Sequence, residues 1–207
     1  MQSDWRITTR APQSRVTPVD ALLWTVMMAC AQPWAHHLMY WRGQLGHEPW
    51  RWLTGHWVHA NGMHLILNAL ALGLLPFILP VPSRRQWWAW LLLLSIMISA
   101  SLFFFNPVLQ QYVGLSGVLH GLYVATAIAA WPQRSERCWI GGVLCTLLLK
   151  LLIEPHLPHT PTEKLIGVSV FFVAHQVGAF WGGVLGVLTL YCNKHPFFAI
   201  RVSKTHL

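Results

Sequence analysis

The sequence predicts an all-α membrane protein built as a bundle of six transmembrane helices, and three observations carry that prediction. Of 207 residues, 55% are hydrophobic and only 10% are charged, against about 25% charged in soluble domains. The apolar residues gather into six stretches, roughly 21–40, 62–82, 87–106, 115–131, 138–156 and 167–192, and crossing a hydrocarbon core of about 30 Å takes about 20 helical residues. Strands of alternating polarity are missing, which argues against a barrel, whereas a helix satisfies its backbone groups within one segment, as lipid demands.

Little chain is left over for soluble structure. Residues 1–20 and 193–207 read as short basic tails, and 21–192 as one domain without an internal repeat. The first stretch does not read as a cleavable signal, because about twenty mostly polar residues precede it and no small-residue cleavage site follows it cleanly.

The formal charge of +8 would suit nucleic acid, but the positions of the charges point to topology instead. With the N-terminus cytoplasmic, ten basic residues fall inside: Arg6, Arg10, Arg15, Arg84, Arg85, Arg134, Arg137, Lys194, Arg201 and Lys204. Four fall near or beyond the outer face: Arg42, Arg51, Lys150 and Lys164. That is the bias of the positive-inside rule; both tails are then cytoplasmic, and no nucleic-acid motif is visible. Cys30, Cys138, Cys145 and Cys192 lack the paired spacing of a zinc site or a disulfide framework and read as buried, inert thiols.

Polar groups inside a span are costly and mark candidate sites. The second span opens at Trp50-Arg51 and continues through His59 to Gly62-Met63-His64-Leu65-Ile66-Leu67-Asn68. His64 and Asn68, four apart, share one helix face; a pair of core residues bonding a neighbouring helix would have the same spacing. The fourth span begins Gly114-Leu115-Ser116-Gly117-Val118-Leu119-His120-Gly121. A serine between glycines at a helix start suits a nucleophile, since glycine allows the tight turn and the positive helix end favours an oxyanion. Gly117 and Gly121 equally suit a packing face of small residues. In the sixth span Ala174-His175 is followed by Gly178, Gly182 and Gly186, a repeat of four that clears one face for another helix, most simply the fourth.

Depth relates the three spans. At 1.5 Å per residue, Asn68 lies about 9 Å and His175 about 12 Å inside the outer ends of their spans, and Ser116 to Trp131 covers only about 24 Å, so Ser116 starts below the outer surface. A serine, a histidine and side-chain donors at one level supply the nucleophile, base and oxyanion stabiliser of acyl transfer. The acids Asp4, Asp20, Glu48, Glu136, Glu154 and Glu163 are not expected inside a span at that depth, so the site reads as a Ser-His dyad.

In combination these strings resemble the rhomboid intramembrane serine proteases across the six-helix core. The matching residues are Trp50-Arg51, then His59, His64 and Asn68, then Gly114-Leu115-Ser116-Gly117, then Ala174-His175 with Gly178 and Gly182. The resemblance implies a rhomboid-like fold with Ser116 as nucleophile and His175 as base, and an oxyanion hole of His64, Asn68 and the Ser116 backbone N–H. His59 matches a structural histidine of the family. His120 stands where better-known rhomboids often carry a tyrosine that packs against the base.

Leu53-Thr54-Gly55-His56-Trp57-Val58-His59 and Gly114 to Gly121 are similar to the rhombosortase branch. That similarity implies membrane-anchored substrates with a C-terminal Gly-Gly, an apolar helix and a basic tail. It also implies a bacterial inner membrane with the active site open to the periplasm, and neither cofactor nor metal.

Three other readings compete. A catalytically inactive client-binding relative is weakened by the presence of both Ser116 and His175. A metalloenzyme using His56, His59, His64, His156 and His159 lacks a His-Glu-x-x-His string and suitable acids. A transporter would show repeat symmetry and matched broken helices.

Overall fold

The first helix, α1 (Pro18–Ala31), begins with Pro18 at its first position, and Thr17 N–H donates to the Asp20 carboxylate at 2.9 Å. The structure, a computed structural model, describes residues 16–81 and 83–194; most of the two expected tails, 1–20 and 193–207, lies outside the described residues. Asp20 also pairs with Arg84 Nε at 2.5 Å, joining the first turn of α1 to that of α5 (Arg84–Phe105). The continuous span expected over 21–40 does not form. Helix α1 stops at Ala31, because Pro33 has no N–H to continue the ladder, and the chain goes on as a 3₁₀ turn and the short α2 (Ala35–Leu38).

The second expected span is also divided. Trp50-Arg51 leads into a separate short helix, α3 (Arg51–Thr54), and the long helix α4 starts only at Gly62 and runs to Ile78. Arg51 is 2% exposed and gathers the preceding loop, donating to the carbonyls of His36 (3.0 Å) and Met39 (2.7 Å) and pairing with Glu48. Strand β1 (Tyr40–Trp41) pairs antiparallel with β2 (Gln111–Tyr112), with Tyr40 opposite Tyr112. This two-residue ladder has no alternating signature in the sequence and ties the loop after α2 to the segment before Ser116.

Helix α6 (Ser116–Ala130) is the hub, touching α4, α5, α7 (Arg137–Ile153) and α9 (Phe172–Lys194). Its fifteen residues span about 22 Å, well short of a bilayer core. Val118, Leu122, Ala125 and Ala127 are buried around it, while Leu91, Leu94, Ile98 and Leu102 bring α5 against the same core. Among the described residues, three helices are long and apolar enough to cross a membrane: Arg84–Phe105, Arg134–His156 and Phe172–Lys194. Gly62–Ile78 and Ser116–Ala130 are apolar but shorter. The four cysteines are exposed, against the expectation of buried thiols, because each sits on an outward face of α1, α7 or α9.

Candidate active site

Ser116 is delivered by a pinned loop. Next to the β1–β2 ladder, Arg42 N–H donates to Gln110 O at 2.8 Å, Gly114 N–H to Gly55 O at 3.2 Å, and Tyr112 O–H to Gly114 O at 3.0 Å. Gly114 has φ +118°, a conformation that disfavours side chains, and a Cβ there would stand 2.7 Å from the His64 ring. The loop therefore turns sharply beneath His64 and leaves Ser116 as the first residue of α6. Leu115, the residue before it, offers no side-chain cap, and the positive end of the helix lies at the serine.

Helix α9 meets α6 backbone to backbone. A Cβ on Gly178 would lie 1.9 Å from Gly117 O, and one on Gly182 would lie 2.2 Å from Gly121 O. This approach carries His175, 4% exposed, to the start of α6, where its Nε2 accepts from Ser116 Oγ at 2.9 Å. The tautomer that accepts at Nε2 carries its proton on Nδ1.

His120 lies flat against His175, with ring centroids 4.2 Å apart and planes 15° from parallel. Both of its nitrogens are occupied: Nδ1 donates to Ser116 O at 2.7 Å, and Nε2 accepts from the Lys150 ammonium at 3.2 Å. Lys150 in turn donates to Glu154 Oε2 at 2.5 Å, and that same oxygen lies 3.5 Å from His175 Nδ1. At that length the contact is electrostatic rather than a formed hydrogen bond, and Nδ1 has no other partner. The expectation that no acid stands at the level of the serine therefore fails. Helix α7 runs seventeen residues from the turn after Trp131, about 26 Å, which returns Glu154 to the Ser116 end of α6, itself about 22 Å long.

His120, Glu154 and His175 are also the group of ligand atoms among the described residues close enough to hold a metal, within 4.8 Å of one another. The Lys150 ammonium already bridges two of them, so a cation would have to displace it. The histidines His56, His59, His64, His156 and His159 form no such group among the described residues: His56 bonds Ser99 Oγ at 3.0 Å, and His59 is held by Gln32.

His64 and Asn68 line one cavity of about 310 Å³ with Ser116, His120, Lys150 and His175. Asn68 Nδ2 donates to His64 O at 3.1 Å, which leaves its second N–H for the cavity. Ala60 N–H makes a long bond, 3.5 Å, to His64 Nδ1, so that Nε2 is the remaining donor. His59 is tied twice to Gln32, accepting at Nδ1 from Nε2 (3.3 Å) and donating its backbone N–H to Oε1 (3.1 Å), and it packs edge-on to His64 at 5.0 Å. Gln32 and Asn61 escaped the sequence reading. Asn61 caps α4 by accepting from His64 N–H at 2.9 Å and donates to Ile166 O at 2.6 Å. An asparagine just before the helical run was the available signal.

The sixth stretch, expected from residue 167, becomes helical only at Phe172. Before it, the short α8 (Pro161–Ile166) ends at Gly167, with φ +68°. Glu163 accepts from the amides of Thr160 and Val170, each at 2.9 Å, and those bonds, Thr160 foremost, hold its carboxyl below the usual range. This staple fixes the loop leading into His175.

Residues 46–192 match the family model described as Rhomboid domain, a stretch that contains His59, His64, Asn68, Gly114, Ser116, Gly117, His120, Glu154, His175, Gly178 and Gly182. No curated protein matches the chain.

Proposed function

The chain belongs to the rhomboid family, multi-pass membrane proteins that in general are intramembrane serine proteases acting on transmembrane substrates; on that premise we propose that it is an active endopeptidase with Ser116 as nucleophile and His175 as base. In this reading six helices cross the bilayer, both termini are cytoplasmic and the cavity opens to the periplasm of a bacterial inner membrane. The single observation behind it is the 2.9 Å bond from Ser116 Oγ to His175 Nε2 in a cavity also lined by His64 and Asn68.

The chemistry follows from those positions. A substrate helix unwinds at small residues and presents a peptide carbonyl at the start of α6. Ser116 Oγ attacks the carbonyl carbon while its proton passes to His175 Nε2. The oxyanion is met by the Ser116 backbone N–H, His64 and Asn68 at the positive end of α6. Collapse breaks the C–N bond, and the amine leaves with the proton from His175. Water then attacks the acyl ester while its proton passes to His175; the C–O bond to Ser116 Oγ breaks, Oγ takes that proton back from His175, and the freed acid leaves as a carboxylate.

Substrates of this protease are exported proteins ending in Gly-Gly, an apolar helix and a basic tail. Co-expression with such a reporter tests this: the tail is released from the Gly-Gly reporter and retained when Gly-Gly is replaced by Leu-Leu. Equal release from both would remove the sorting-tail specificity, and no release from either would remove this substrate class.

His120 acts as a stacking platform in this scheme, because both of its nitrogens face away from Ser116 Oγ toward other partners. An aromatic pair contributes about 0.5–1.5 kcal/mol. His120→Tyr, which keeps a ring there, is therefore expected to hold kcat within about tenfold of wild type. A loss as large as that of His175→Ala would make His120 the base.

A further inference from the structure

The contacts around Ser116 close into a ring. Its hydroxyl reaches His175 Nε2, Nδ1 of that histidine faces Glu154 Oε2, Lys150 joins Glu154 to His120 Nε2, and His120 Nδ1 returns to the carbonyl of Ser116 itself. We propose that Glu154 is a positioning residue for His175, a third member of the site held in place by Lys150.

Three features of the geometry carry this. The Glu154 side chain is 11% exposed and that of His175 is 5% exposed, so the pair is shielded from water, where the attraction between a carboxylate and an imidazolium is strengthened. His175 Nδ1 is buried and has no hydrogen-bond partner, so the N–H that must sit there while Nε2 accepts from serine is aimed at one carboxylate oxygen, 3.5 Å away. Lys150 is the third feature, for its 2.5 Å bond goes to that same oxygen rather than to the other. Glu154 at the end of α7 is thereby held by a lysine that is itself anchored to His120 on α6. Contacts of this kind are commonly long before substrate binds and shorten as charge develops. When His175 takes the serine proton it becomes a cation, and Glu154 is the anion facing it.

An i,i+4 ion pair that merely neutralises two charges on a membrane helix would place Lys150 and Glu154 similarly along α7. It gives no reason for the shared oxygen to face the one unpartnered nitrogen of the base. Glu154 acts as proposed only if Ser116 is the nucleophile argued for above, and the test separates the two ideas.

Full-length protein purified in detergent is titrated with a fluorophosphonate probe, and the maximal rate of adduct formation is resolved from the half-saturating probe concentration. In Glu154→Gln the maximal rate is expected to fall about 10²-fold or more, with half-saturation within about twofold, since probe binding does not use Nδ1. The double variant Lys150→Met/Glu154→Met, which leaves no unpaired charge, is expected to stay equally slow. Wild-type rates in Glu154→Gln, or recovery in the double variant, would overturn the role. Should Glu154→Gln fail to fold, the double variant alone decides on the same terms. If the wild type forms no adduct that Ser116→Ala abolishes, the nucleophile assignment is what fails, whatever Glu154 does.

Discussion

Ser116→Ala is expected to abolish cleavage of a transmembrane substrate, and His175→Ala to lower kcat by roughly 10⁴-fold or more, with little further loss when the two are combined. The reason for the shared outcome is the single 2.9 Å bond that couples them. A serine hydroxyl is a weak nucleophile until a base removes its proton, and the base has no task without the hydroxyl. Residual turnover in His175→Ala is expected from the oxyanion donors alone, His64, Asn68 and the first N–H of α6. Ser116→Ala removes only a hydroxyl, so its yield and thermal unfolding in detergent should match the wild type, whereas His175→Ala also gives up the ring stacked on His120, a loss of about 0.5–1.5 kcal/mol. Additive losses, in which each replacement costs its own separate factor, would mean that the two side chains do not work as a unit.

Gly178→Val is expected to prevent assembly of the protein altogether. The first added carbon would stand 1.9 Å from Gly117 O, and backbone on backbone offers no rotamer through which to relax. Overpacked cores ordinarily cost about 1–3 kcal/mol through side-chain shifts; here α6 and α9 must separate, and His175 moves with them. Tryptophan fluorescence during thermal unfolding reads the loss, alongside recovery of monodisperse protein from the membrane. Gly183→Ala is the matched control on the same helix, because nothing lies within 4 Å of its added Cβ; it should leave both stability and cleavage unchanged.

How much of this was legible beforehand depends on the range of each cause. The seam of Gly178 and Gly182 against Gly117 and Gly121 could be read because a repeat of four is a local signal with one geometric meaning. The shared level of Ser116, His175 and Asn68 followed from counting residues inward. The same counting reaches Glu154 when it runs along α7 from the turn after Trp131, because its seventeen residues cover about as much length as α6. The breaks at Pro33 and between α3 and α4 were hidden inside apolar runs, which hydropathy alone joins together. The β1–β2 ladder and the Gln32 clamp on His59 pair residues far apart in the chain, and no local pattern announces such partners. The exposed cysteines run the other way: an apolar-leaning residue in an apolar stretch reads as interior, although a membrane helix also turns apolar residues outward.

Intact-mass analysis of the purified protein after exposure to a fluorophosphonate reads an activated serine without any choice of substrate. A single adduct is expected, mapping to Ser116, present in wild type and in Gly183→Ala and absent from His175→Ala. Wild-type protein without an adduct, or an adduct of equal yield in His175→Ala, would contradict a Ser116 nucleophile activated by His175.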